Sequence, residues 1–392
     1  MDFATPPTPW LRRIGCITTS RADSGIYRPL WRALAARSDW ELTCLAGGTH
    51  LSTAFGHTLD DLTNGPPMTI VPVDHQVPGD DPQAVAETAG RAVTAFSEAL
   101  AQAPVDLVFV LGDRTEMLAA AMAALIHRVP IAHLHGGDRT EGSLDNQCRH
   151  ALTKLSHLHF PALPEHAGRI RRMGEEDWRI HQVGALALDA LARFEPEPAE
   201  TLGPAIGLDL SRTTVVVAFH PETLADEPPA ESLDELLAAV GRLDANVLLI
   251  GTNADAGHAG LARAMERWAS ERTGAAVVRS LPQHRFWSWL AHAAALVGNS
   301  SAGLIEAASL RLPVVNIGHR QQGRRRPANV IDAPPRRADI LSALRRAIDP
   351  KLRAGWGDLA NPYGDGHAAD RIIEVLRQLP PRDLLLRKRW AE

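Results

Sequence analysis

Two Rossmann-like, doubly wound α/β domains in succession are predicted by three features of the sequence. Short aliphatic and β-branched runs alternate with longer helical segments, the pattern of parallel sheets covered on both faces. The alternation breaks once, at FEPEPAETLGP (194–204), where proline and glutamate cluster with no apolar period, and then resumes. The length, 392 residues, exceeds what one hydrophobic core usually serves.

In order along the chain, the first alternation predicts strands over 14–19, 41–46, 107–111, 131–134 and 179–183. Helices are predicted over 26–36, 84–102, 115–126, 145–155 and 185–193. After the break, strands are predicted over 214–219, 246–250, 275–278, 294–297 and 314–317, with helices such as 233–243 and 260–272 between them. The domains implied are 1–195 and 205–365, with a last helix, 368–378, within a 366–392 segment that packs back on the first domain.

A hydrophobic content of 45% is that of a globular protein, and no apolar run is long enough to span a bilayer. No apolar run precedes Ile14 as a leader would require, so a cytoplasmic location is expected. The formal charge of −5 argues against nucleic acid or a membrane as partner, so any anion is bound locally. Cys16, Cys44 and Cys148 are odd in number and lack metal-type spacing, which argues against a disulfide framework.

Neither GxGxxG nor GxxxxGK[ST] occurs, so phosphate must be held in another way. Gly298-Asn299-Ser300-Ser301-Ala302-Gly303 follows a predicted strand and opens a predicted helix that carries Glu306 in its first two turns. Backbone amides and the hydroxyls of Ser300 and Ser301 at such a terminus attract an anion, although Ser300 can simply cap the helix. Arg320, Gln321 and Arg324 downstream favour phosphate. Glu306 suits ribose hydroxyls or, more plainly, the helix dipole. Thr18 to Asp23 follows the first strand, at the ligand-binding edge of a parallel sheet. From there Arg21 either reaches a diphosphate or pairs with Asp23 or another carboxylate.

Three consecutive units bring Asp113, then His135 and Asp138, then Asp145 and Arg149 to one sheet edge. Asp145 and Arg149 are four apart and share a helix face, as do His150 and Lys154; a surface salt bridge is the plainer account of the first pair. His133 and His135, like His157 and His159, alternate as metal ligands on a strand would, but no third ligand has a supporting motif and no metal is expected. His220, in FHPET, stands at the ligand edge of the second domain or caps a helix there.

The strings TSRADSGIYRP, GGTHLS, LGDRTE, HLHGGDRTEGSLDNQCRHALTKLSHLHF, MGEEDWRIHQVG, HPET, GTNADAG and VGNSSAGLIEAASLRLPVVNIGHRQQGR run in order from the first strand to Arg324. Together they resemble the UDP-N-acetylglucosamine 2-epimerases, in particular the hydrolysing branch. The resemblance implies a fold like that of the GT-B glycosyltransferases, with the uridine nucleotide on the second domain and the sugar facing the first across a cleft. It implies a UDP-sugar as partner, a homodimer or homotetramer, and no cofactor. By the same resemblance Ser300, Ser301 and Glu306 hold diphosphate and ribose, with Gly303, Arg320, Gln321, His50 of GGTHLS and Asn253 of GTNADAG among the binding positions. Arg21 reaches the phosphates, His220 lies near nucleotide or sugar, and Asp113 and Asp145 are the acid/base carboxylates beside Arg149. Where many members carry glutamate in a histidine-x-glutamate-glycine-glycine string, this chain has His135, with Asp138 three residues on.

These residue types suit inversion at C2 of a 2-acetamido sugar. That proton is not next to a carbonyl, so the sugar must be oxidised transiently or lose its anomeric group. The sequence has no nicotinamide fingerprint. Anti elimination of UDP gives a 2-acetamidoglucal, and re-addition with a proton on the opposite face of C2 completes the inversion; it needs anion stabilisation and acid/base groups. Addition of water would yield ManNAc and UDP from UDP-GlcNAc. Re-addition of UDP, or glycosyl transfer on the same fold, are the rival activities.

Overall fold

A computed structural model describes residues 10–53, 56–141, 143–222, 228–252, 258–357 and 359–391. Two six-stranded, all-parallel sheets form two Rossmann-like domains. The first uses β1 (Arg13–Thr18), β2 (Glu41–Gly47), β3 (Thr69–Val73), β4 (Leu107–Leu111), β5 (Ile131–Leu134) and β6 (Leu158–Phe160), in the order β3-β2-β1-β4-β5-β6. The second uses β7 (Thr214–Ala218), β8 (Asn246–Ile250), β9 (Ala275–Val278), β10 (Ala295–Gly298), β11 (Val314–Ile317) and β12 (Val330–Ala333), in the order β12-β11-β10-β7-β8-β9.

The central strands are apolar throughout because helices cover both of their faces. Every residue of β4 (LVFVL) and β7 (TVVVA) is buried. Helices Arg21–Ala35, Pro82–Gln102, Thr115–Ile126 and Asp145–Leu155 cover the first sheet. Ala368, Ala369, Ile372, Ile373 and Leu376 of helix Ala368–Arg377 are buried in that same core.

Two expectations are corrected. Residues 179–183 form no strand; Ile180 makes only a single parallel bridge, with His159 of β6. The stretch 194–204 does have an anchor, because Leu202, followed by Leu208, is buried beneath the second sheet.

In both sheets the order reverses beside the first strand, which opens a crevice at the carboxyl ends. Loops after β1, β4 and β5 meet loops after β7, β8, β9, β10 and β11 across a cavity of about 380 Å³. Gly298 permits this closeness in the second domain: its φ is +138°, and a Cβ would lie 2.0 Å from the Ala218 carbonyl oxygen. No helix among the described residues is long and apolar enough to cross a membrane.

Candidate active site

The first-domain wall is built from Asp113 after β4, His135 and Asp138 after β5, and Asp145 and Arg149 on the following helix, all of which line the cleft. Arg149, 2% exposed, pairs with Asp113, and its Nη1 donates to Thr140 Oγ1 at 2.9 Å. The expected i,i+4 pair with Asp145 is not formed. Asp145 lies in the first turn and its Oδ2 is 3.9 Å from Arg320 Nη2 of the opposite wall, whereas Arg149, one turn further in, is buried against Asp113. Burial, with Arg324, Arg320 and Arg169 nearby, pulls the Arg149 guanidinium well below its usual range. The wall therefore concentrates positive charge around its carboxylates.

His135 has a left-handed backbone, φ +61°, which few non-glycine residues adopt and which is frequent at functional positions. Burial lowers its imidazole to about 4, although Asp138 acts in the opposite direction. Its Nε2 is enclosed with no hydrogen-bond partner among the described residues. Asp138 has partners on both oxygens: Oδ1 with His166 Nε2 at 3.1 Å and the Arg139 amide at 2.8 Å, Oδ2 with Arg324 Nε at 3.0 Å. Burial would raise this carboxyl, but Arg324 and His166 outweigh it and hold it far below the ordinary range. Asp138 is therefore an anion fixed in place.

The second-domain wall carries His220, Ser300, Ser301, Glu306, Arg320 and Arg324. Asn299 clamps the His220 backbone from both sides: the His220 amide donates to Oδ1 at 2.8 Å and Nδ2 donates to the His220 carbonyl at 2.9 Å. The expected helix at Ser300 is only one turn, Ala302–Ile305, because the chain turns back at Arg311, φ +51°, to enter β11. Glu306 therefore follows that helix, and its macrodipole contribution is small. Burial lifts the Glu306 carboxyl to about 7 while the Trp287 indole N–H, 2.9 Å from Oε2, favours the charged form. Arg21 reaches across the cleft to Ser280 Oγ at 3.1 Å and pairs with Asp61 at 2.8 Å. Its carboxylate is thus Asp61; Asp23 instead accepts from the Thr19 amide and hydroxyl, both at 2.9 Å.

Three expected binding residues stand behind the walls. The buried His50 ring lies between Thr18 Oγ1 and Thr58 Oγ1 at 2.9 and 2.7 Å. Gln321 donates to the Asn299 carbonyl at 2.7 Å, and Gly303 is buried, with space too tight for a Cβ, 2.8 Å from Val314. Asn253 lies outside the described residues.

His133 is buried and bonded to Gly112 O, and His159 to Glu175; among the described residues no three potential ligands group as a metal set. Missed in the sequence were Thr140, and Arg279, Ser280, Leu281 and Phe286 on the second-domain wall. The last four follow β9, so the same sheet-edge rule that singled out His220 would have found them.

The family model described as UDP-N-acetylglucosamine 2-epimerase matches residues 32–377. A UDP-N,N'-diacetylbacillosamine 2-epimerase (hydrolyzing) of Legionella pneumophila is 32% identical over 96% of this chain and 99% of its own. Polysialic acid biosynthesis protein P7 of Escherichia coli is 31% identical over 94% of each. The solved UDP-GlcNAc 2-epimerase from Neisseria meningitidis, 15% identical, shares the fold with a TM-score of 0.78 over 93% of this chain and 99% of that one. With the two-domain fold, the cleft and a near full-length match all in agreement, the chain belongs to the UDP-N-acetylglucosamine 2-epimerase family.

Proposed function

We propose that the chain is a hydrolysing 2-epimerase that converts a UDP-activated 2-acetamido sugar to the free C2-epimer and UDP. The observation that carries this assignment is the pairing of two unlike walls around a cavity of about 380 Å³: carboxylates beside Arg149 on one, small hydroxyls, Glu306 and Arg320 on the other. UDP sits against Ser300, Ser301, Glu306 and Arg320, with Arg21 and His220 completing the diphosphate and ribose contacts. A carboxylate, Asp113 or Asp145, takes the C2 proton; the C1–O bond breaks with its electron pair leaving on UDP, giving the glycal. A solvent-derived proton relayed by His135 is then delivered to the opposite face of C2 while water, losing its proton to the other carboxylate, adds at C1. His135, neutral near pH 7, is suited to accept or relay a proton. Asp138, fixed as an anion, orients Arg324 and His166 instead. Support for water as the second nucleophile, and for a sugar such as UDP-N,N'-diacetylbacillosamine, comes from the Legionella relative.

The test is incubation with UDP-GlcNAc and, separately, UDP-N,N'-diacetylbacillosamine in heavy water, read by NMR. One of them should yield free sugar deuterated at C2 plus UDP. A UDP-sugar epimer mixture would replace hydrolysis with reversible epimerisation, and two unchanged substrates would reject the assignment.

A further inference from the structure

The first-domain wall is carried by three segments, the turn after β4, the loop after β5 and helix Asp145–Leu155, and one side chain behind the wall touches all of them. The ring of His133 is fully buried and takes no part in lining the cleft. Its Nε2 donates to the Gly112 carbonyl at 2.8 Å, in the turn that presents Asp113. Its Nδ1 faces Thr153 Oγ1 at 3.3 Å, one turn along the helix from Arg149, and that hydroxyl is shared with the Arg149 carbonyl at 3.0 Å. The loop that carries His135 and Asp138 lies on the ring itself, since a Cβ at Gly136 would be 2.9 Å from His133 Nδ1 and 3.2 Å from Thr153 Oγ1.

Histidine suits this junction. The Gly112 peptide, at φ +75°, is held to β5 at both ends: its amide donates to the Leu134 carbonyl at 3.0 Å and its carbonyl accepts from His133. A carbonyl only accepts, so the imidazole proton is on Nε2, which leaves Nδ1 bare toward the Thr153 hydroxyl. Burial lowers the imidazole to about 3 against the pull of the Gly112 carbonyl, so the ring is neutral at pH 7. A hydrocarbon of similar size would leave that carbonyl without its donor and the turn without its tether to the helix. Both ring nitrogens are engaged within the protein, so the His-x-His spacing serves a hydrogen-bonded bridge.

We propose that His133 is a positioning residue for the reaction: its ring ties the Asp113 turn to the helix of Arg149 and thereby sets where the Asp113 carboxylate stands in the cleft. Asp113 pairs with Arg149, and the same ring steadies both, the first through Gly112 and the second through Thr153. Displacing the turn by about an ångström is enough to cost the proton transfer, while the nucleotide wall on the other domain is untouched. The effect on turnover rests on the epimerase reading; the tether itself does not.

The test uses the full chain with His133→Leu and His133→Gln. Turnover of UDP-GlcNAc and of UDP-N,N'-diacetylbacillosamine is counted per UDP-binding site, titrated by calorimetry, so that misfolded chain is left out of the count. His133→Leu should lower turnover roughly tenfold or more, with UDP affinity within about twofold of wild type. His133→Gln, whose amide nitrogen can still donate to Gly112, should recover most of the loss. A double-mutant cycle reads the tether without substrate: the fall in melting temperature on Asp113→Asn should be at most about half as large in the His133→Leu background. Thr153→Val, which removes the other leg of the bridge, takes the place of His133→Leu in both measurements if that variant does not fold. Unchanged turnover per site in His133→Leu, no recovery in His133→Gln, or additive losses in melting temperature overturns the proposal. A wild-type chain that turns over neither sugar nucleotide would reject the epimerase assignment, and the melting cycle would still decide the tether.

Discussion

Arg149 shows how little of a site's wiring a local pattern reveals. Its spacing suggested Asp145 as partner, four residues away, yet the bond goes to Asp113, 36 residues away, because the loop after β4 and the helix after β5 meet at one sheet edge. That adjacency made the cluster legible, while the pairing within it depended on depth along the helix. Asp113→Asn and Asp145→Asn should each lower turnover by roughly a hundredfold or more, the scale of a lost general acid or base. Only Asp113→Asn should also lower the melting temperature, since it leaves a buried guanidinium without its counter-charge, at roughly 1–3 kcal/mol for a partly exposed partner. Glu306 gives a pH signature. Its folded-state carboxyl titrates near 7 and its unfolded one in the ordinary glutamate range, so the folded chain holds the extra proton between them. Stability should therefore fall as pH rises from about 4.5 to about 7 and level off above. Glu306→Gln should remove that decline, gaining on the order of 2–3 kcal/mol at pH 8 relative to wild type, while weakening UDP binding. Denaturant midpoints across pH 5–8 check the first expectation and calorimetry the second.

At the scale of elements, the three strands that the sequence pattern did not reveal, β3, β6 and β12, are all sheet edges. β3 and β12 are only partly covered and so lack the continuous apolar run of β4 or β7, whereas β6 is buried along its length. β3 contains Pro72, and β6 is three residues long. The helix bearing Asp145 and Arg149 was legible to the residue, but its support was not, since that support comes from the far end of the chain. Lys154 at its last turn bonds Glu175 Oε1 at 2.6 Å, and Lys388 of the C-terminal segment bonds Oε2 of the same carboxylate at 2.8 Å. Buried Arg179 fastens that segment through the Leu385 and Arg387 carbonyls at 2.8 and 3.0 Å. Glu175 has a fully buried side chain and also receives His159 at 3.0 Å, so Glu175→Ala strands two lysines and should cost about 3–5 kcal/mol. A melting temperature within a degree of wild type would show that the segment does not hold the helix.

Across the whole molecule, the loop after β11 joins the domains. Arg324 donates to the Arg139 carbonyl at 2.8 Å and the Thr140 hydroxyl at 3.2 Å, pairs with Asp138, and is braced by Gln321 Oε1 at 2.8 Å. Next to it, Arg325 pairs with Glu165 at 2.5 Å. Gly323 makes the approach possible, since a Cβ there would lie 2.8 Å from both Arg139 Cδ and Glu141 Oε1, at a φ of +85°. These contacts hold one domain against the other across the cleft, and Asp138, kept anionic by Arg324 and His166, is their first-domain end. Removing the guanidinium should let the domains separate while each core stays intact, because the buried apolar clusters of the two sheets do not include it. Arg324→Ala is expected to raise the radius of gyration in small-angle scattering, with saturating UDP recovering part of the difference. Turnover should fall more than UDP affinity, since only the chemistry needs both walls at once. Unchanged scattering together with a loss confined to UDP affinity would mean that Arg324 acts as a phosphate ligand and that the closed cleft is held by other contacts.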